Sequence, residues 1–318
     1  MPPTPAPESA TAVRRSAWRA VVGALWVAGG LGCAVLARET LLSDHPAYLV
    51  TLGAVAVVGV VLVVTGLRRV PADRPRHRVA TAVGRVAGAL VTVLVIGAMG
   101  YLVPLPATPP TAAALSGAAP VRVETSPTRI VLTPAITPRA GLVFLPGAKV
   151  DPRAYVPLLG RVAAAGYLVV IVKEPYDIAF LATGEPAKVV AANPGVQRWA
   201  VGGHSLGGVA AGIASTDIGG LLLWASYPLG SLADRTDLVV ASISGTADPL
   251  TTPADIEESR ASLPPDTVFT AVAGAIHAYF GDYGSQPGDG TPGVDRATAQ
   301  QQIVDPTTRF MEAVAAGG

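Results

Sequence analysis

Arg198-Trp199-Ala200-Val201-Gly202-Gly203-His204-Ser205-Leu206-Gly207-Gly208-Val209-Ala210-Ala211-Gly212-Ile213-Ala214 reads as a short buried strand, a glycine-packed turn and a helix. Within it, Gly203-His204-Ser205-Leu206-Gly207 fits the G-x-S-x-G pattern in the strand–turn–helix context that the pattern requires. A turn this sharp strains the serine backbone and brings strand and helix close together, which side chains at 203 and 207 would obstruct. The serine hydroxyl then stands clear of the sheet, where a base and a substrate can both reach it. In a chain with 35 glycines the same letters also describe an ordinary glycine-rich turn. The remainder of the sequence decides between the two.

A serine hydroxyl is a poor nucleophile until an oriented base takes its proton, and the base needs a partner that fixes its tautomer. In elbow-type sites the chain order is Ser, then Asp or Glu, then His. Downstream of Ser205, the apolar run Leu238-Val239-Val240-Ala241-Ser242-Ile243-Ser244 ends in Gly245-Thr246-Ala247-Asp248. A second β-branched run, Val268-Phe269-Thr270-Ala271-Val272, leads through a loop to His277. Both candidates lie just past the carboxyl ends of strands, where open α/β sheets place their sites. Of the four histidines, His45 and His77 border apolar segments and His204 is inside the elbow, which leaves His277 as base. Its bland alternative is a hydrogen-bonded loop histidine. Asp177, Asp282 and Asp289 read as caps and turn residues, with Asp282 the reserve acid should Asp248 fail. Two backbone donors for an oxyanion are expected: the N–H of Leu206, and one from the loop after the third strand. That loop is Pro146-Gly147-Ala148-Lys149, and the N–H of Ala148 is the chosen donor. Lys149 reads as a solvated surface lysine.

With these residues in place, the chain from about Pro120 onward resembles the α/β-hydrolase superfamily. It is most similar to compact, lid-poor members related to dienelactone hydrolases and small esterases. The resemblance rests on Leu145-Pro146-Gly147-Ala148-Lys149-Val150-Asp151-Pro152, the Gly-His-Ser-Leu-Gly-Gly elbow and Gly245-Thr246-Ala247-Asp248. It also rests on His277-Ala278-Tyr279-Phe280-Gly281-Asp282-Tyr283-Gly284 with Gln286 and Gly288-Asp289-Gly290. It implies Ser205 as nucleophile, Asp248 as acid partner and His277 as base. One departure matters: dienelactone hydrolases use a cysteine nucleophile, and the only cysteine here, Cys33, lies in an apolar N-terminal segment.

Strands are expected at 129–132, 141–145, 167–172, 199–202, 220–226, 238–244 and 268–272. They alternate with helical stretches at 153–165, 178–192, 207–215, 253–262 and 298–316. Near-continuous Val/Ile/Leu/Ala strands between helices mean a doubly wound, mostly parallel sheet covered on both faces. Only about ten residues separate the strand ending near Tyr227 from the one starting near Asp237. A cap domain has no room there, so an open cleft is expected.

The first third of the chain differs. Mean hydropathy is +0.47 overall, and the apolar residues concentrate before residue 104. Ala20–Ala37, Tyr48–Leu67 and Val86–Val103 carry no charge and each reaches the ~18 residues needed for a membrane span. A signal peptide would explain the first alone, but not the two that follow. The expected organisation is a cytoplasmic tail (1–19), three membrane helices (20–103), a Pro/Ala-rich tether (104–120) and the catalytic domain (121–318). Arg68, Arg69, Arg74, Arg76, Arg78 and Arg85 sit between the second and third spans. The first connection holds one arginine against Glu39 and Asp44. Basic loops stay cytoplasmic, which puts residues after 103 on the extracytoplasmic face.

Charge is also divided. Residues 1–110 hold ten basic and four acidic groups, net +6; residues 111–318 hold thirteen and eighteen, net −5. An acidic catalytic domain argues against nucleic acid as a partner. No metal cluster or phosphate loop is legible, so no cofactor is expected. The favoured function is a membrane-anchored serine hydrolase acting on a small-molecule or envelope-lipid ester. The alternatives are acyl transfer by the same triad and a non-catalytic binding or sensor module of the same fold, for which an intact Ser, Asp and His have no use. Oligomeric state is not legible.

Overall fold

The computed structural model describes residues 13–71, 78–108 and 121–317. The chain divides into two units. One comprises residues 1–38 and 49–103, and the other comprises 39–48 and 104–318.

The first unit holds α1 (Ala17–Leu36), α4 (Arg78–Tyr101) and all of α3 (Ala47–Leu67) beyond Tyr48; the six-residue helix α2 (Arg38–Ser43) falls in the second unit apart from Arg38. α1, α3 and α4 are each long and apolar enough to cross a membrane. Glycine lets α1 and α3 approach closely: a Cβ on Gly23 would run into the carbonyl of Gly59. Across the unit, the Trp26 indole N–H donates to Thr92 Oγ1 at 3.1 Å. Helix α4 starts eight residues before the expected span, because Arg78 and Arg85 extend the same helix beyond its apolar part. Arg74 and Arg76, part of the basic loop in the sequence, lie outside the described residues, as do residues 1–12 of the tail.

In the second unit, eight strands form one sheet among the described residues. They are β1 (Val121–Thr125), β2 (Arg129–Pro134), β3 (Gly141–Leu145), β4 (Leu168–Val172), β5 (Trp199–His204), β6 (Gly220–Trp224), β7 (Val239–Gly245) and β8 (Val268–Val272). Their spatial order is β8-β7-β6-β5-β3-β4-β2-β1. The strands from β3 onward run parallel, while β2 pairs antiparallel with β4 and with β1. Seven strands fall where the sequence puts them. β1 is the addition, an edge strand whose mostly polar, exposed residues hide it from a search for apolar runs.

Helices α5 (Val156–Ala164), α6 (Glu185–Ala192), α7 (Leu206–Ala214), α8 (Pro253–Ser259) and α9 (Arg296–Ala316) accompany the sheet. Period-2 alternation of β3 splits its side chains between two cores. Leu142 and Phe144 join Tyr155, Leu158, Leu159 and Met311 on one face. Val143 and Leu145 join Val170, Val201, Ala210 and Leu223 on the other. Sheets buried on both faces need such double-sided strands. Helix starts are sealed locally: Asp295 accepts the N–H of Thr298 at 2.9 Å, and Thr252 with Asp255 forms a reciprocal capping box.

Two segments outside the expected catalytic domain belong to this unit. Pro104 to Thr108 is docked rather than a free tether: Leu105 N–H donates to the Lys149 carbonyl, and Thr108 N–H to that of Asp282 at 2.8 Å. The rest of the expected tether, 109–120, lies outside the described residues. The second segment is 39–48, a strap that joins the first two apolar helices in sequence. Leu41, Asp44 and Tyr48 are buried, and the Tyr48 hydroxyl donates to Asp177 Oδ2 at 2.9 Å. Burial drives the carboxyls of Asp177 and Glu174 well above the usual carboxylate range and raises Asp44 to about 7.

Candidate active site

Strand β5 delivers Ser205 to the carboxyl edge of the sheet, and α7 starts immediately behind it. Ser205 has φ 52°, ψ −123°, the strained backbone expected of a nucleophile on a sharp turn. Such backbone is concentrated at one edge. Among the described residues, the non-glycine residues with positive φ are Lys149, Tyr176, Asp177, Ser205 and Ala225, in the loops after β3, β4, β5 and β6. The elbow is held from below: Ser205 N–H donates to the Trp224 carbonyl at 2.9 Å, and Ser226 Oγ donates to the Ser205 carbonyl at 2.7 Å. Gly203 and Gly207 are required by proximity. A Cβ on Gly207 would strike the carbonyls of Leu145 and Pro146, and one on Gly203 would strike the backbone of Gly207.

Asp248 and His277 meet. His277 Nδ1 lies 2.7 Å from Asp248 Oδ2, and both side chains are excluded from solvent. The other oxygen, Oδ1, accepts the N–H groups of Leu250 at 2.8 Å and Thr251 at 2.9 Å. That fixes the carboxylate, which in turn orients the imidazole. Strand β7 brings Asp248 and the loop after β8 brings His277. The His277 ring packs 4.5 Å, centroid to centroid, from that of His204, the residue preceding Ser205. Ser205 Oγ makes no hydrogen bond to His277 among the described residues; such pairs are often longer than bonding distance without substrate.

The remaining acids have other partners. Asp282, the reserve, accepts from Gln300 Nε2 at 2.7 Å and does not reach His277. Asp289 does more than the turn role its sequence context suggests. Its carboxylate takes the N–H groups of His277 at 3.0 Å and Ala278 at 2.8 Å, holding the base from the main-chain side. Arg296, at the start of α9, donates to the carbonyls of Ala278, Gly281 and Tyr283 and ties down the rest of this loop. Asp289 leaves a weak trace in the sequence, within Gly288-Asp289-Gly290; Arg296 leaves none.

Leu206 and Ala148 have no hydrogen-bond acceptor for their N–H groups among the described residues. Leu206 opens α7, so its N–H also sits at the positive end of a helix dipole. Ala148 is exposed, on the loop after β3. The neighbouring Gly147 N–H is not available to a substrate, because it donates to the Tyr155 hydroxyl at 2.9 Å. That hydroxyl is also 2.9 Å from His204 Nδ1. Lys149 N–H donates to the Asp177 carbonyl at 3.1 Å. Residues 225–238, between β6 and β7, contain no helix or strand, so no cap element stands there.

An eight-stranded, mostly parallel sheet with a serine elbow at its carboxyl edge defines an α/β hydrolase. The chain belongs to the alpha/beta hydrolase family, whose model matches residues 141–302, more than half of its length. Among solved structures it is similar to TT1662 from Thermus thermophilus, at 16% identity and TM-score 0.45, over 61% of this chain and 98% of that one. It is also similar to the thermophilic esterase Est2 of the Planctomycetes species Thermogutta terrifontis. That match has 16% identity and TM-score 0.42, over 60% of this chain and 91% of the other. No curated protein matches it in sequence.

Proposed function

We propose that this chain is a membrane-anchored serine hydrolase that cleaves an ester or related acyl bond outside the cytoplasm. The observation that carries the reading is the 2.7 Å bond between His277 Nδ1 and Asp248 beside the strained Ser205 elbow. Ser205 Oγ attacks the carbonyl carbon while His277 Nε2 takes its proton. The oxyanion is held by the N–H groups of Leu206 and Ala148. Collapse expels the alcohol, which leaves with the proton from His277. Water, deprotonated by the same imidazole, then releases the acid and restores Ser205. The loop between β6 and β7 leaves the cleft open, which suits small or surface-presented esters.

The membrane part of the reading rests on α1, α3 and α4 and on the placement of arginine. The strap adds support. Residues 39–48 pack with residues 104–318, and α3 and α4 lie between them in the chain. Two segments that touch must be on one side of a membrane, which requires an even number of crossings between them. The four arginines between α3 and α4, with Arg78 and Arg85 in the first turns of α4, then favour the extracytoplasmic side for both.

A fluorophosphonate probe tests the chemistry. It should label Ser205, and Ser205→Ala should abolish labelling and esterase activity while thermal unfolding stays near that of the parent. Labelling elsewhere, or none in folded protein, removes the enzyme reading.

A further inference from the structure

We infer that Tyr155 and His204 are positioning residues for the oxyanion hole, acting together through the Gly147 N–H. The inference rests on the proposed role of Ser205 and extends it to residues that touch no substrate.

Tyr155 lies in the 3₁₀ turn Pro152–Tyr155, and its ring is fully buried against Phe144 at 5.1 Å. Its hydroxyl accepts the Gly147 N–H at 2.9 Å and is 2.9 Å from His204 Nδ1. An oxygen already accepting from an N–H has its own proton to give to the remaining partner, so the Tyr155 hydroxyl donates to His204 Nδ1. Burial, and secondarily the nearby His277, hold the His204 imidazole well below its ordinary pKa, hence neutral and able to accept. Burial likewise keeps the Tyr155 phenol protonated. His204 has little freedom to leave: Phe280 stacks on it at 5.6 Å and 10°, and His277 packs on it at 4.5 Å.

The chain of bonds therefore runs from the oxyanion loop, through Tyr155, to the elbow residue adjoining the nucleophile. The bond to Tyr155 fixes the Pro146–Gly147 peptide plane, and the Val150 N–H, donating to the Gly147 carbonyl at 3.1 Å, fixes the Gly147–Ala148 plane; with both planes held, the torsions of Gly147 and the direction of the Ala148 N–H are set. Gly147 itself allows nothing larger, since a Cβ there would approach His204 Nδ1 at 2.7 Å and Tyr155 Oη at 3.1 Å. Both donors of the hole are thus set against one buried reference point. Stabilising a developing charge demands such pre-set donors, and a misplacement of about 1 Å can cost on the order of 100-fold in rate.

The experiment measures kcat and KM separately for a soluble ester in the full-length protein, with fluorophosphonate titration of competent sites. Tyr155→Phe keeps the ring and removes the hydroxyl. It should lower kcat about 10- to 100-fold with KM within about twofold. His204→Leu should lower it similarly, whereas His204→Asn, which keeps an acceptor near the Nδ1 position, should recover most of it. The Tyr155→Phe/His204→Leu pair should lose little more than either change alone, because both act through one N–H. A fall in melting temperature with kcat retained in Tyr155→Phe would show a merely structural role and overturn the inference. So would His204→Asn behaving like His204→Leu in folded, titratable enzyme. If the parent carries no label at Ser205, the hydrolase reading fails first, and that result is distinct from both.

Discussion

Asp248 spends one oxygen on the backbone and the other on His277, so in the proposed triad its role would be orientation as much as charge. Asp248→Asn keeps the shape but presents an amide that can favour the wrong imidazole tautomer. The expected result is a loss of about 10⁴-fold in kcat with a fold unchanged by circular dichroism. A loss under tenfold would mean that Asp289 or the main chain orients the base unaided. Ser205, Asp248 and His277 could be picked out as candidates because each sits a few residues past a recognisable strand in an order that chemistry constrains. Tyr155 could not. Its partners Gly147 and His204 are 8 and 49 residues away in sequence, and a buried tyrosine in a short turn carries no periodic signal of its hydroxyl's target. Asp289 and Arg296 escaped for the same reason, since they act on main-chain atoms that any sequence would offer.

At the scale of elements, the sheet was readable because apolar β-branched runs of five to seven residues alternate with helical ones. The polar edge strand β1 was not readable, and neither was the strap. Residues 39–48 look like a short loop between two apolar helices, and nothing local announces that Thr40, Leu41 and Asp44 are buried in the hydrolase unit. The strap also brings a pH dependence. Asp44 faces Asp177 and Glu174 from the loop after β4, Asp151 from the loop after β3, Lys173 at the end of β4, and the N–H of His45. A carboxyl whose folded pKa is raised binds its proton more tightly when docked than when released. Its contribution to docking is therefore full below the ordinary value of 3.8 and is lost as pH rises towards and through about 7. Hydrogen exchange, corrected for its intrinsic pH dependence, should show protection of amides in 39–45 falling by on the order of tenfold or more across that window. Asp44→Asn should flatten the trend. Protection that is independent of pH in the parent would exclude Asp44 as the group responsible.

For the whole molecule, the division into an apolar basic part and an acidic catalytic part was plain from composition. The division in space is different, because ten residues from within the apolar third belong to the hydrolase-fold unit. Membrane sidedness can be read by placing a protease site between Thr108 and Val121 and adding protease to sealed cells. Cleavage without lysis is the expected outcome; protection until lysis would put the hydrolase in the cytoplasm.

The strap changes what such a cut means. Severing the chain after Thr108 removes the covalent link to the apolar helices, yet Tyr48 and Asp44 remain buried against Asp177 from the other side of the break. The nicked protein would then be a two-chain complex, held together by the ten-residue strap and by the docked residues 104–108 that stay with the apolar helices. Releasing the hydrolase unit would take more than a break in the chain: the strap and the 104–108 segment must both undock. A released domain would face solvent with carboxyls that had been sealed, and as they ionised it would become a different, more hydrated molecule beside the loop that follows β3.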